Sequence, residues 1–166
     1  KGFYCNPKNS EFYINALTDV EVIVHLAGAS VAKKWTPSYK QEIIESRVLS
    51  TRLLYNALQK NPNQVKQIVS ASAIGIYSND LTYIYHETDT KVDDSFLGNV
   101  VQQWEEEVNQ FEKLNIKVTK IRIGIVLAKN GGALQEMVKP IKMGVGAAFG
   151  SGLQYQSWIH IQDLAG

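Results

Sequence analysis

The residues best suited to chemistry lie in one stretch, SASAIGIY, which sets two serine hydroxyls and a tyrosine among small residues. It follows directly on the apolar run of Ile68 and Val69, which is typical of a buried strand. Ser72 could hydrogen-bond to a ligand and polarise its hydroxyl or carbonyl group, or it could only be a small residue that closes the strand. Taken alone, the stretch leaves both interpretations open.

Two arginines and three histidines are the other candidates for chemistry. Arg122 lies in an apolar segment and therefore needs a carboxylate or an anionic ligand as its partner. Arg47 is expected on a helix beside the end of the first strand, either as a ligand contact or in a surface salt bridge. His25 is predicted to be a core residue and His86 to be solvated, while His160 could meet a ligand or serve the structure. No set of side chains has the spacing of zinc ligands, so no metal site is predicted.

Alternating strand and helix patterns must position these groups. Apolar runs and helical spacing predict, in order, a strand at 20–28, a helix from Thr36-Pro37 to Asn61, a strand at 65–72, a helix carrying Leu97 to Phe111 and a strand at 117–127. The first run is almost continuously apolar, which predicts burial on both faces. The acidic run at 105–107 is predicted to be a solvated helix face. This order predicts an α/β fold with a parallel sheet, in which ligands bind at the carboxyl ends of the strands.

The remaining segment contains most of the glycines. A turn at 130–132, a short helix around Leu134 to Val138, a glycine-rich loop at 144–152 and a short strand at 157–161 are predicted there. The loop has neither the spacing of a dinucleotide fingerprint nor a strand before it. We therefore expect it to face a substrate rather than a pyrophosphate.

Composition narrows the partners. The chain has 166 residues, 45% of them hydrophobic, and a net charge of +1, which indicates one domain with a sizeable core. The balanced charge gives no reason to expect nucleic acid or an anionic membrane surface as a partner. One cysteine fits a reducing compartment, and no apolar run approaches the ~20 residues of a membrane span. The expectation is a cytoplasmic protein that takes a small-molecule substrate, with a homodimer left open.

Several motifs in a fixed order resemble a known family. The chain is similar to the atypical extended short-chain dehydrogenase/reductase group, known as NAD-dependent or nucleoside-diphosphate-sugar epimerases, and the resemblance covers nearly its whole length. The motifs that carry it are VIVHLAG at 22–28, Ser46-Arg47, SASAIGIY at 70–77, Trp104-Glu105, RIGIVL at 122–127, NGGAL at 130–134 and the segment 150–164.

The resemblance implies a Rossmann-type doubly wound parallel sheet that binds NADP(H) or NAD(H), with NADP preferred. Residues 1–130 would be the C-terminal portion of that domain, and residues 131–166 the start of a substrate-binding region. The first strands and the glycine-rich pyrophosphate loop of the family pattern are expected to precede this chain, which we expect to be a fragment.

The family's functional positions can be transferred residue by residue. Ser72 falls at the catalytic serine position. The cofactor-binding positions fall on Leu26, Ala27, Gly28, Arg47, Ala71, Ile123, Gly124 and Ile125. The substrate-facing positions fall on Lys33, Trp35, Tyr77, Ser157 and Trp158, with the loop at 144–158.

One departure from the family pattern concerns proton transfer. Typical members carry a tyrosine and, four residues later, a lysine that lowers its pKa. Alignment on Trp104-Glu105 puts Leu97 and Val101 at those positions, and neither can transfer a proton. Tyr77, Tyr83 and Tyr85 are candidate substitutes from the nearby loop. Two hypotheses follow: an epimerase or reductase-like enzyme acting by hydride transfer on a small polar substrate such as a nucleotide sugar, or a catalytically weak NAD(P)-binding regulatory or sensor protein.

Overall fold

The structure, a computed structural model, describes residues 2–148 and 150–166. Short 3₁₀ turns link its strands and α-helices. In chain order these are β1 (Cys5–Asn6), β2 (Glu11–Phe12), β3 (Val22–His25), α1 (Pro37–Lys60), β4 (Gln67–Ala73), α2 (Phe96–Asn109), β5 (Lys117–Ile123), β6 (Ile125–Ala128), β7 (Gly131–Gly132), α3 (Ala133–Lys142), β8 (Trp158–His160) and α4 (Ile161–Ala165).

A three-stranded parallel sheet in the order β3-β4-β5 carries the fold. The register sets His25 beside Ser70 and Ser72 beside Arg122. Neighbouring residues in register point to the same face of a sheet, so the hydroxyl and the guanidinium lie on one side. The predicted Rossmann-type α/β architecture is confirmed.

Helix α1 begins and ends where its sequence signals lie. The Thr36 hydroxyl accepts a hydrogen bond from the Tyr39 N–H at 3.2 Å, and Pro37 occupies the first turn, where no N–H is needed. The helix ends at Lys60, just before Asn61 and Pro62, because proline disfavours helical backbone in the residue before it. The predicted bounds of this helix are confirmed.

Both long helices pack on the same face of the parallel sheet. Leu54 and Leu58 of α1 meet Ile68 of β4 in the core, together with Phe111 just after α2. On the opposite face Val22 is 52% exposed and Val24 62% exposed. The prediction that this strand is buried on both faces is therefore wrong for the described residues, because only one face of the strand carries helices.

The predicted third strand is two strands. It breaks at Gly124, where a Cβ atom would lie 2.4 Å from the carbonyl oxygen of Ser157, so only glycine fits without a backbone shift. The Ile125 N–H donates to the same carbonyl at 2.8 Å, and from there β6 joins a second sheet in the order β7-β6-β8. That sheet begins ahead of the predicted domain boundary after residue 130.

Candidate functional site

A cleft of about 520 Å³ opens at the carboxyl ends of the three parallel strands; we call it the strand-end cleft. Loops that leave the strands form one side of it and helix α2 forms the other. It brings together Ser72 and all eight residues assigned above to cofactor binding, which are Leu26, Ala27, Gly28, Arg47, Ala71, Ile123, Gly124 and Ile125.

The α2 wall of the cleft is apolar. Leu97, Val100, Val101 and Trp104 recur at helical spacing, so one stripe of the helix faces the cleft. Leu97 and Val101, which the resemblance aligns with a tyrosine and a lysine, therefore line the cleft. The indole N–H of Trp104 is buried and finds no acceptor among the described residues. Among the described residues that line the cleft there is no histidine, carboxylate, lysine or tyrosine.

One charged side chain, Arg47, stands among the described residues that line the cleft. It donates to the carbonyl oxygens of Ile43 at 3.0 Å and Ala29 at 3.2 Å, and its guanidinium lies 5.2 Å from the centre of the Trp104 ring. Burial lowers the pKa of Arg47. No carboxylate among the described residues pairs with it, so it is not the surface salt bridge that was one of its two interpretations.

The Ser46-Arg47 pair also shapes the loop after β3. The Ser46 hydroxyl accepts the N–H of Ala29 at 2.8 Å, while Arg47 binds the carbonyl of the same residue. A Cβ atom on Gly28 would lie 3.0 Å from the guanidinium carbon of Arg47. Glycine at this position therefore lets the arginine lie against the loop at the mouth of the cleft.

Ser72 is 4% exposed and donates its hydrogen to Glu105 Oε1 at 2.5 Å. Glu105 itself is only 6% exposed, so the prediction of a solvated face at 105–107 is wrong for this residue. Sequence reasoning missed Glu105 as a functional candidate. The signals were its spacing of four residues from buried Val101 and the unmatched charge of Arg122 on the neighbouring strand.

Glu105 is the carboxylate partner that Arg122 required. The two make a bidentate pair, Nε to Oε1 and Nη2 to Oε2, each at 2.9 Å, and Lys120 Nζ lies 3.5 Å from Oε2. Burial by itself would raise the pKa of Glu105, but the hydrogen bonds from Arg122 and Ser72 and the two nearby cations lower it overall. The hydrogen bonds with Glu105 raise the pKa of Arg122.

Tyr77 and Ser157 line a second cleft of about 580 Å³, which we call the tyrosine cleft because Tyr83, Tyr85 and Tyr155 also line it. Ile74 lines both clefts. The Tyr77 oxygen accepts a hydrogen bond from Arg122 Nη1 at 2.7 Å. The three candidate tyrosines line this second cleft and are not among the described residues that line the strand-end cleft.

The other predicted substrate residues lie apart from both clefts. Lys33 and Trp35 are on the exposed loop before α1, where the Trp35 indole donates to the Val31 carbonyl at 2.9 Å. Trp158 is 63% exposed on β8. The predicted substrate loop at 144–158 is exposed in most of its described residues, and Phe149 in it lies outside the described residues.

The surroundings of the three histidines indicate structural roles or exposure to solvent. His25 Nε2 lies 3.0 Å from the Thr51 hydroxyl in the core, and burial lowers its pKa, as a core histidine requires. His86 is exposed, and His160 Nδ1 caps α4 by accepting the N–H of Gln162 at 3.3 Å. Over residues 2–148 and 150–166 no group of three metal-ligating side chains comes together, and no helix is long and apolar enough to cross a bilayer.

Comparison with known proteins identifies the family of the chain. The family model of the NAD dependent epimerase/dehydratase family matches residues 1–166. An epimerase family protein of Staphylococcus aureus strain NCTC 8325 is 40% identical over 161 residues, which is 97% of this chain and 54% of the relative. One from Staphylococcus saprophyticus is 42% identical over 150 residues, 90% of this chain and 50% of the relative. The chain thus spans about half the length of these relatives.

Solved structures agree in fold. A human epimerase family protein solved with NADPH has a TM-score of 0.78 and 32% identity, over 89% of this chain and 51% of that one. A nucleoside-diphosphate sugar epimerase from Corynebacterium glutamicum has a TM-score of 0.79 and 30% identity, over 97% of this chain and 33% of that one. The family model and these relatives together show that the chain belongs to the NAD-dependent epimerase/dehydratase family.

Proposed function

We propose that the protein binds NADP(H), or less favourably NAD(H), in the strand-end cleft and acts as an epimerase or reductase on a small polar substrate by hydride transfer. The observation that carries this proposal is the convergence of Ser72 and all eight assigned cofactor residues on one cleft. Its position outside the carboxyl ends of parallel strands is where open α/β sheets bind their ligands. The human relative solved with NADPH supports the preference for NADP.

Arg47 gives the cleft its affinity for an anion. Its guanidinium has five N–H donors, and two hydrogen bonds from it to backbone carbonyls are seen, so donors remain for phosphate oxygens. The half-buried cation has no carboxylate partner among the described residues, so a dinucleotide phosphate would supply the missing counter-charge.

The other end of the cleft suits the nicotinamide ring. Ile123 and Ile125 line the cleft together with Leu97 and Val101 of α2, and such apolar walls hold a flat ring while excluding water. A bound nicotinamide supplies the hydride donor or acceptor. Ser72 is the one hydroxyl among the described lining residues, and therefore the proposed polar contact at the reacting end.

A second candidate function is NAD(P) binding with little or no catalysis, as in a sensor. The observation that favours it is the apolar pair Leu97 and Val101 in the described lining, where related enzymes carry a tyrosine and a lysine. The nucleotide-sugar substrate and the cytoplasmic location belong to the first proposal. The Corynebacterium relative, a nucleoside-diphosphate sugar epimerase, supports the substrate, and the single cysteine supports the location.

Thermal unfolding of the full-length protein with NADPH and with NADH tests both candidates. At one hundred times Kd, a bound cofactor adds about 2.7 kcal/mol to the free energy of unfolding. We expect the larger shift with NADPH, and Arg47→Gln should weaken its binding about tenfold. The matched control is Arg52→Gln on the same helix, since Arg52 pairs with Glu107 outside the cleft. No shift with either cofactor would overturn both candidates.

Turnover then separates the two candidates. Reductase turnover is followed by the absorbance of NADPH or NADH with small ketones and alcohols. Epimerase turnover returns the hydride and leaves the cofactor unchanged, so it is followed by chromatographic separation of the UDP-sugar epimers. Both assays are run on the wild type and on Ser72→Ala. Turnover that falls at least tenfold in the variant supports the enzyme, whereas bound cofactor with no turnover on any of them supports the sensor.

A further inference from the structure

Ser72 stands between the strand-end cleft and a buried carboxylate. It lines the cleft, yet its hydroxyl hydrogen points away from any ligand because it is donated to Glu105 Oε1 at 2.5 Å. A serine hydroxyl has one hydrogen and two lone pairs. What Ser72 offers to the cleft is therefore decided by the ionisation state of Glu105.

Glu105 is held as a carboxylate. Arg122 donates to both of its oxygens at 2.9 Å, and Lys120 Nζ lies 3.5 Å from one of them. Burial of the acid works against ionisation, but the two cations and their hydrogen bonds outweigh it, so the pKa of Glu105 is lowered. An ionised carboxylate can only accept, so Ser72 must remain the donor in that bond.

We propose that Glu105 is a positioning residue that fixes Ser72 as a hydrogen-bond acceptor toward the cleft, where its oxygen receives the carboxamide N–H of a bound nicotinamide. This inference rests on the proposed binding of NAD(P). It changes the role expected for Ser72, because a hydroxyl whose hydrogen is committed to Glu105 does not donate to a substrate carbonyl. The carboxamide is the donor that the nicotinamide ring itself carries. The chain neighbours of Ser72 in the lining, Ala71 and Ala73, are apolar.

A comparison with Ser70 shows that burial alone does not produce this arrangement. Ser70 lies two residues earlier on the same face of β4 and is fully buried. Its hydroxyl donates to the backbone carbonyl of Ala71 at 2.9 Å, and it does not line the strand-end cleft. Ser70→Ala is therefore a control of the same residue type, strand and face. Glu106, the exposed neighbour of Glu105 on α2, provides the matched control for the acid.

Two cofactor analogues test the direction of the hydrogen bond. The 3-acetylpyridine analogue of NADP⁺ replaces the carboxamide nitrogen by a methyl group and loses the donor, whereas the thionicotinamide analogue keeps it. Dissociation constants of both and of NADP⁺ are measured by calorimetry on the full-length wild type. We expect the acetylpyridine analogue to bind about tenfold more weakly than NADP⁺, and the thionicotinamide analogue within about threefold of it.

The variants then assign the effect to residues. The ratio of the acetylpyridine to the NADP⁺ dissociation constant should fall toward one in Ser72→Ala and in Glu105→Ala, which removes the acceptor and releases the hydroxyl hydrogen of Ser72. It should stay near ten in Ser70→Ala and Glu106→Ala. Because the ratio compares two ligands on one variant, a general loss of stability does not move it, and the wild-type ratio needs no variant at all.

Every other outcome contradicts one step of the proposal. A wild-type ratio near one, or a ratio unchanged in Ser72→Ala, overturns the contact between Ser72 and the carboxamide. A ratio that falls in Ser72→Ala but persists in Glu105→Ala overturns the positioning role of Glu105. Absence of NADP⁺ and NADPH binding to the wild type instead overturns the proposed function, and this inference with it.

Discussion

Neutralising Glu105 should cost far more stability than neutralising its neighbour on the same helix. Glu105→Gln keeps the size of the side chain but leaves the Arg122 guanidinium without its counter-charge, with side chains only 8% and 19% exposed in the native pair. Breaking a buried ion pair typically costs about 3–5 kcal/mol. Arg122 retains its hydrogen bond to Tyr77 and some contact with water, which reduces the cost. We expect a loss of about 2–4 kcal/mol in the free energy of unfolding.

Urea unfolding followed by circular dichroism measures this loss, with Glu106→Gln as the control. The control should change the free energy of unfolding by no more than about 0.5 kcal/mol, since its carboxylate is exposed. Combining Glu105→Gln with Arg122→Met should cost less than the sum of the single changes, because the double variant has no unpaired guanidinium at position 122. A Glu105→Gln variant as stable as the control, or strict additivity, would refute a stabilising buried pair.

Three further outcomes follow from the same structure. Because folding lowers the pKa of Glu105, its ionised carboxylate stabilises the fold above pH 4.5, the ordinary pKa of a glutamate. This stabilisation is lost as the pH falls through the lower pKa of the folded state, so Glu105→Gln should flatten the acid unfolding curve in that range. The buried ring of His25 contributes in the same sense above 6.5, and His25→Gln but not His86→Gln should remove that part of the pH dependence. Gly124→Ala should lower the melting temperature by several degrees, because its Cβ would lie 2.4 Å from a backbone carbonyl, whereas Gly131→Ala, with open space around it, should not.

The sheet and its helices could be predicted because their signals are local. Thr36 and Pro37 mark the start of α1 by capping and backbone geometry, which need no knowledge of the rest of the chain. The strand break at Gly124 could not be predicted in this way. Its cause is a close approach to the carbonyl of Ser157, more than thirty positions further along the chain, and an apolar run carries no sign of such a contact.

The candidate site, too, could be predicted only where its signals are local. The residues assigned to cofactor binding follow from motif order, and the structure brings all eight of them to one cleft. Glu105 was missed because a run of three glutamates is usually solvated, and its burial depends on an arginine that comes 17 positions later. The strand register brings these groups together, because it sets Ser72 and Arg122 side by side beneath α2, where both reach the Glu105 carboxylate.

Leu97, Val101 and Glu105 follow one another at intervals of four residues, so they share one stripe of α2. The first two turns of that stripe offer the cleft only apolar surface, and the next turn carries a buried carboxylate that reaches it through the hydroxyl of Ser72. The polar side chain of this stripe, Glu105, therefore lies one helical turn after Val101, and the positions that align with the tyrosine and lysine of related enzymes are apolar. A carboxylate held ionised by Arg122 is a poor proton donor. The arrangement therefore orients a ligand more readily than it protonates one, which makes cofactor affinity the first property to measure and turnover the second.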